Sequence, residues 1–88
     1  MSAPSRISVI GLGYVGLPLA VALARHFPAL GYDRDGARIA ELRGGVDRTR
    51  EVAPDALRAT TLEFADDAAA MAGSDVFIIT VPTPVDEN

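Results

Sequence analysis

The chain has 88 residues, of which 49% are apolar, a formal net charge of −4 at pH 7 and no cysteine. This length suits a single small domain. The acidic balance argues against nucleic-acid and anionic-membrane partners, and the lack of cysteine excludes disulfides and cysteine nucleophiles within these residues. We expect no membrane span, because no apolar run reaches membrane-spanning length. We also expect a cytoplasmic protein without a metal site.

The first predicted elements are a strand, a helix and a second strand. Residues 6–10 form a short β-branched run that is typical of a buried strand. Residues 14–26 carry apolar side chains at helical spacing, with Pro18 in the first turn and Pro28 preventing continuation. Residues 29–33 predict a second strand, which ends in an acid.

The remaining residues predict three helices and two strands. In order, they are a helix over 36–43 capped by Asp35 and ended by Gly44, a short helix over 54–59, a strand over 61–64, an Ala-rich helix capped by Asp66 or Asp67 and ended by Gly73, and a strand over 75–81. The last strand is continuously apolar, as in a parallel sheet. We predict a three-layer, Rossmann-like α/β fold with four parallel strands ordered 3-2-1-4 and helices on both faces.

Three glycines between the first strand and the first helix carry the clearest functional pattern. Gly11, Gly13 and Gly16 fit the G-x-G-x-x-G motif, and Asp33 follows 22 residues after Gly11, at the end of the next strand. Gly11 permits a tight turn, Gly13 allows close backbone approach to a pyrophosphate, and Gly16 allows close helix packing. Asp33 is placed to accept the ribose hydroxyls and favours NAD over NADP, a preference that Arg34 would weaken. The alternative is a glycine turn without a ligand.

Other polar and aromatic residues have simpler interpretations. We expect His26 to lie at the surface, Tyr14 to pack, and Asp66 and Asp67 to cap a helix and bind no metal. Arg38 and Glu41 share a helix, so a solvated ion pair is the default expectation for them. Thr83 follows the last strand, which neighbours the first strand at the switch point where doubly wound sheets bind ligands.

The stretches "IGLGYVGLPLA", "GYDRDGARIAELRGGVD" and "DVFIITVPTPVD" together resemble the N-terminal domain of the UDP-glucose/GDP-mannose dehydrogenase superfamily. The resemblance covers residues 6–86. After the second helix, the UDP-glucose branch usually has a "P-I/F-x-E-P-G-L"-like stretch, whereas this chain has "GGVDRTREVAPDALR". The sequence is therefore most similar to the branch that oxidises UDP-N-acetylhexosamines, the Vi-polysaccharide and O-antigen type.

The resemblance implies an NAD site and a mechanism. Such enzymes oxidise the C6 alcohol of a nucleotide sugar to a carboxylate with two NAD⁺ through a cysteine-bound intermediate, and they serve surface polysaccharide synthesis. None of the family's catalytic motifs lies in this chain, so we predict no catalytic residue here. The implied cofactor contacts are Gly11, Leu12, Gly13, Tyr14, Val15 and Gly16 at the pyrophosphate, Asp33 and Arg38 at the adenosine, and Val81, Pro82 and Thr83 near the nicotinamide.

The resemblance also implies that the chain is a part of a larger protein, the first half of a doubly wound cofactor domain. We expect the whole protein to bind a UDP-sugar and to form a homo-oligomer, and we expect the 88 residues alone to be inactive. The strand over 75–81 would then be an exposed edge, and we expect the chain to self-associate through this edge or through the uncovered faces of the first helix. The alternative is that residues 82–88 fold back and cap the edge. Two other functions stay open: a UDP-glucose 6-dehydrogenase, and a stand-alone dinucleotide-binding module without catalysis. A hydroxyacyl-CoA-type dehydrogenase is disfavoured by "VPTP".

Overall fold

A computed structural model of the chain describes residues 6–80. The strands are β1 (Ile7–Ile10), β2 (Ala29–Tyr32), β3 (Glu63–Ala65) and β4 (Val76–Ile79). The helices are α1 (Gly16–Ala24), α2 (Gly36–Arg43), α3 (Pro54–Ala59) and a 3₁₀-helix over Ala68–Met71. None of the helices within residues 6–80 has the length and apolarity that crossing a membrane requires.

The four strands form one parallel sheet in the order β3-β2-β1-β4, which confirms the predicted fold class. The chain moves outward from β1 to β3 and then returns across the sheet to β4. Because parallel crossovers are right-handed, the helices between β1 and β3 lie on one face and the β3–β4 connection lies on the other. The sheet is therefore the middle of three layers.

The main core lies between the sheet and the first three helices. Ile7 and Val9 of β1 face this side and are 8% and 0% exposed. They pack with buried side chains from every helix on that face: Leu17, Ala20, Val21 and Ala24 of α1, Ile39 and Leu42 of α2, and Leu57 of α3. In α1 the buried residues recur at helical spacing, so burial of one stripe holds this helix on the sheet.

The opposite face is covered over β2 and more open at β4. Ser8 and Leu30 are buried there, and the Ser8 hydroxyl lies 2.6 Å from that of Ser74. The register pairs Ser8 with Phe77, yet Phe77 is 51% exposed and Ile79 is 67% exposed. β4 thus forms an edge of the described sheet and carries exposed apolar side chains, as the predicted self-association requires. The association itself stays a prediction.

Two predicted helices differ from those observed. The helix predicted over 14–26 begins only at Gly16 and ends at Ala24, because the residues before it belong to the glycine turn. The Ala-rich segment before Gly73 is a single 3₁₀ turn, not an α-helix. None of its residues is buried, so no packing supports a longer helix, and isolated short helices are marginal in water.

The third strand also begins later than predicted. The sequence predicted it over 61–64, and the structure has it over Glu63–Ala65. Residues 60–62 are used differently: the Thr61 hydroxyl donates to the Ala24 carbonyl, and the Leu62 amide donates to the Thr60 hydroxyl. These bonds tie the end of α3 to the end of α1 and delay the sheet pairing.

We expect Gly31→Ala to destabilise the fold. An added Cβ at Gly31 would lie 3.0 and 3.1 Å from the two terminal carbons of Leu12, which is fully buried. The expected loss in unfolding free energy is roughly 1–3 kcal/mol, as for other overpacked cores. Urea unfolding at equilibrium measures it.

Gly44→Ala is the matched control, because its added Cβ makes only ordinary contacts at 3.5 and 3.6 Å and its φ is −84°. Since alanine restricts the unfolded chain, this change should leave stability equal or slightly higher. Equal stability of the two variants would show that the space around Leu12 is not tight.

Candidate dinucleotide site

Three strands end together at one edge of the sheet. The register places Ile10 opposite Tyr32 of β2 and Ile79 of β4. The residues that follow these three are Gly11, Asp33 and Thr80, so a turn, a carboxylate and a hydroxyl meet at the carboxyl edge. Ligands of open α/β sheets bind at this edge, where the strand order reverses.

Close packing explains two of the three motif glycines. Gly11 has a φ of +97°, and a Cβ there would clash with the Thr80 carbonyl. A Cβ at Gly16 would overlap the Gly11 carbonyl and lie 2.5 Å from the Thr80 Oγ1. The Thr80 hydroxyl donates to the Gly11 carbonyl at 2.7 Å. The start of α1 is thus pressed against the end of β1 and the end of β4.

The middle glycine faces open space. A Cβ at Gly13 would have no atom of the described residues within 4 Å, and Tyr14 and Val15 beside it are 68% and 66% exposed. No side chain hydrogen-bonds to the N-terminus of α1 in residues 6–80. The exposed residues 13–15 therefore border an open volume beside a positive helix end, which fits a pyrophosphate.

Asp33 is held by the glycine loop itself. Its Oδ2 accepts a hydrogen bond from the Leu12 amide at 3.0 Å, and its Oδ1 accepts one from the Asp35 amide at 2.9 Å. Both oxygens keep a lone-pair position free, because a carboxylate oxygen accepts more than one bond. The carboxylate is oriented in advance and retains the capacity to accept ribose hydroxyls.

Arg38 is buried under the glycine loop. The residue is 5% exposed. Its Nε and Nη2 donate to the Leu12 carbonyl at 2.9 and 2.7 Å, and its Nη1 donates to Asp47 at 3.0 Å. The expected ion pair between Arg38 and Glu41 is present at 3.5 Å, but it is largely buried and not solvated, and the nearer carboxylate is that of Asp47. Contact between Arg38 and the adenosine stays a prediction.

Asp47 is the carboxylate that organises the loop after α2. Its side chain is fully buried. Besides Arg38, it accepts bonds from the Thr49 amide and hydroxyl and from the amides of Glu51 and Val52. Burial alone raises the pKa of Asp47, but the hydrogen bonds from Thr49, Val52 and Arg38 outweigh it and lower this pKa from 3.8 to about 2.

A second ion pair ties the same loop to α2. Arg48 lies 2.7 Å from Glu41, and the hydrogen bond from its guanidinium lowers the pKa of Glu41 and raises the pKa of Arg48. The Arg48 amide also donates to Glu41. Arg48 itself is largely exposed, so this pair belongs to the outer side of the loop.

The remaining predicted residues have mixed outcomes. His26 is exposed and Asp67 caps the 3₁₀-helix, as predicted, whereas Tyr14 is exposed and does not pack. Val81, Pro82 and Thr83 lie outside the described residues. Residues 6–80 bring together no group of three metal-ligating side chains of the His, Cys, Asp or Glu type.

Sequence reasoning missed three residues that build the site: Gly31, Asp47 and Thr80. The pattern Asp-x-Thr at residues 47–49 is an available signal for Asp47, because aspartate often binds the backbone two residues later. The signal for Thr80 is a hydroxyl at the end of a strand predicted to neighbour β1. Gly31 has no local signal, since its contact lies with Leu12.

Comparison with known proteins places this geometry in a family. Residues 5–88 match the NAD binding domain of the UDP-glucose/GDP-mannose dehydrogenase family. The chain belongs to this family. Its cofactor is therefore NAD, as the glycine motif and Asp33 predicted, and the resemblance identified from the sequence is confirmed.

Curated relatives and solved structures of this dehydrogenase family agree. The chain is 46% identical over 84 residues to a UDP-N-acetyl-D-glucosamine 6-dehydrogenase of Pseudomonas aeruginosa, covering 94% of the chain and 20% of that protein. It is 43% identical over 81 residues to a UDP-N-acetyl-D-glucosamine 6-dehydrogenase of Salmonella typhi, covering 91% of the chain and 19% of that protein. A GDP-mannose dehydrogenase structure from Pseudomonas aeruginosa superposes with a TM-score of 0.77 at 30% identity, covering 93% and 20%. The chain spans about one fifth of the length of these relatives.

We expect Asp47→Asn to lower the unfolding free energy by about 2 kcal/mol at pH 7, because the depressed pKa of this carboxyl measures how strongly the fold favours its charge. The folded-state pKa lies below the unfolded one. The contribution is therefore present above pH 4 and is lost as the pH falls toward 2. Denaturant unfolding between pH 7 and pH 3 measures the difference.

Asp55→Asn is the control, because Asp55 is 94% exposed and pairs with an exposed Arg58. That change should alter stability little at any of these pH values. A stability gap between the unaltered chain and Asp47→Asn that stayed constant from pH 7 to pH 3 would contradict the charge argument.

Proposed function

We propose that the glycine loop and Asp33 hold the adenosine diphosphate half of NAD, and that the chain is the cofactor-binding part of a UDP-N-acetylhexosamine 6-dehydrogenase. One observation carries the binding proposal: Asp33, at the end of β2, is hydrogen-bonded to the Leu12 amide inside the glycine loop. The carboxylate and the loop therefore form one unit, with an open volume at Gly13 beside it.

Each part of this unit has a distinct task toward the cofactor. The amides around Gly13 and the positive end of α1 bind the pyrophosphate. The carboxylate of Asp33 accepts the ribose hydroxyls and repels the 2′-phosphate of NADP. Residues 81–83 are assigned to the nicotinamide half on the family resemblance. NAD held by these residues would supply hydride transfer, which is chemistry that no side chain provides.

The substrate class rests on the activities for which the relatives are named. Two of them are UDP-N-acetyl-D-glucosamine 6-dehydrogenases, with 46% and 43% identity over this part. We assign to the whole protein the oxidation of the C6 alcohol of a UDP-N-acetylhexosamine to the uronic acid in two NAD-dependent steps, for surface polysaccharide synthesis. Since the chain has no cysteine, the 88 residues alone should not oxidise the sugar.

We expect Asp33→Ala to weaken NAD binding by roughly 1–3 kcal/mol, because bonds between ribose hydroxyls and a charged acceptor are lost. Asp33→Asn keeps the shape and one acceptor oxygen and should lose less. Both changes should narrow the preference for NAD over NADP. Isothermal titration of the 88-residue chain with each nucleotide measures this.

The control is Asp55→Ala, whose exposed carboxylate lies at the start of α3 and not at the carboxyl edge of the sheet. It should bind NAD like the unaltered chain. Equal NAD affinity in the unaltered chain and in Asp33→Ala would remove Asp33 from the proposed site.

The proposed reaction is tested on the full reading frame that contains this chain. With UDP-N-acetylglucosamine or UDP-N-acetylgalactosamine, the purified protein should form two NADH per sugar, followed at 340 nm. Turnover of UDP-glucose alone would assign the other branch, and NAD binding without turnover of any UDP-hexose would favour a binding module. NADH formation by the 88 residues alone would contradict the need for a cysteine outside them.

We also propose that the protein forms a homo-oligomer and that the 88-residue chain associates through β4. An edge strand offers unpaired backbone groups, and Phe77 and Ile79 add exposed apolar surface. Light scattering at rising concentration should show species above 9.2 kDa, and Phe77→Lys should shift them toward monomer. A monomer at every concentration would rule this association out.

A further inference from the structure

We infer that Arg38 and Asp47 are positioning residues for the pyrophosphate loop: Asp47 fixes the guanidinium of Arg38, and Arg38 fixes the peptide group between Leu12 and Gly13. This inference rests on the proposed NAD site and adds two residues to it. The glycine motif contains neither residue.

The first step of the argument is the restraint on Leu12. Its amide donates to Asp33, its carbonyl accepts two N–H groups of Arg38, and its side chain is fully buried against Gly31. Every polar group of this residue therefore has a partner in the protein. Leu12 cannot turn without breaking several contacts at once, although both its neighbours in the chain are glycines.

The second step is the direction of the next amide. The carbonyl of Leu12 and the N–H of Gly13 belong to one planar trans peptide group, in which they point in opposite directions. Because the carbonyl points at the buried guanidinium, the Gly13 N–H points away from it. Gly13 is exposed, and its missing Cβ leaves open space. The guanidinium thus sets the orientation of a donor in the loop that receives the pyrophosphate.

The third step is the choice of arginine and its counter-charge. Three N–H groups of Arg38 are used, two on one carbonyl and one on the fully buried carboxylate of Asp47. A lysine ammonium lacks this planar fork. A buried cation without its partner is strongly unfavourable, so Asp47 compensates the charge of Arg38 and holds the guanidinium in place. The five hydrogen bonds that Asp47 accepts hold its carboxylate in one position.

The test separates pyrophosphate binding from adenosine binding. Arg38→Lys keeps the charge but loses the planar set of donors that bonds to the Leu12 carbonyl. It should raise the Kd for NAD at least about tenfold, which corresponds to the loss of one charge-assisted hydrogen bond. The Kd for adenosine, which lacks a pyrophosphate and depends on Asp33, should change less than about twofold. The amide resonance of Gly13 should shift in the free variant.

Arg43→Lys is the matched control, because Arg43 lies on the same helix and donates to one carbonyl, that of Phe64, away from the glycine loop. It should leave both Kd values and the Gly13 resonance unchanged. Asp47→Asn is the second variant if Arg38→Lys does not fold. It should also raise the Kd for NAD more than the Kd for adenosine, but by a smaller factor.

Several results would overturn the inference. Unchanged NAD affinity in both variants would show that the bonds from Arg38 to the Leu12 carbonyl have no effect on NAD binding. An equal loss of NAD and adenosine affinity would assign Arg38 to an adenosine contact, or the Arg38–Asp47 pair to general stability, and not to the orientation of the pyrophosphate loop. Failure of the full protein that contains this chain to bind NAD would overturn the proposed function itself, and this inference with it.

Discussion

The hydrogen bonds at Leu12 are the constraint on which the candidate site depends. A loop with glycines at 11, 13 and 16 has a large conformational freedom, and a ligand would have to order it at an entropic cost. Here the cost is met during folding, because Asp33 and Arg38 hold the amide and the carbonyl of one loop residue. The site is therefore preorganised by the same contacts that join the loop to β2 and α2.

Steric fit supplies the second constraint. The end of β4 lies so close to Gly11 and Gly16 that neither position has room for a Cβ, and the Thr80 hydroxyl closes the contact with the Gly11 carbonyl. The end of β1, the start of α1 and the end of β4 can therefore lie close together only because residues 11 and 16 are glycines. Gly13 is different in kind, because its missing side chain leaves room on the open side of the loop. One short motif therefore contains two structural glycines and one that faces the ligand volume.

Charge is distributed in a way that composition does not reveal. The chain is acidic overall, yet its most buried cation lies directly under the loop that receives a pyrophosphate. Asp47 compensates that cation, and the uncapped end of α1 adds partial positive charge beside the loop. The residues of loop 47–52 serve this arrangement by giving their backbone amides to Asp47. A segment that reads as a polar linker is in fact a structured support.

The sequence by itself determined the alternation of strands and helices, the turn at Gly11, the acid at the end of β2 and the cap at Asp35, because each depends on residues close together in the chain. The strand order was predictable because the alternation, through the rules for parallel crossovers, restricts the topology. Tertiary structure alone decided the rest. Arg38 meets Leu12 across 26 residues, and Thr80 meets Gly11 across 69. The Ala-rich segment became a single 3₁₀ turn because no face of it is buried, and β3 began late because Thr61 bonds to α1. Local sequence patterns do not indicate such distant partners. The sequence therefore predicted the topology of the fold, but not the contacts of Arg38 and Asp47 beneath the glycine loop.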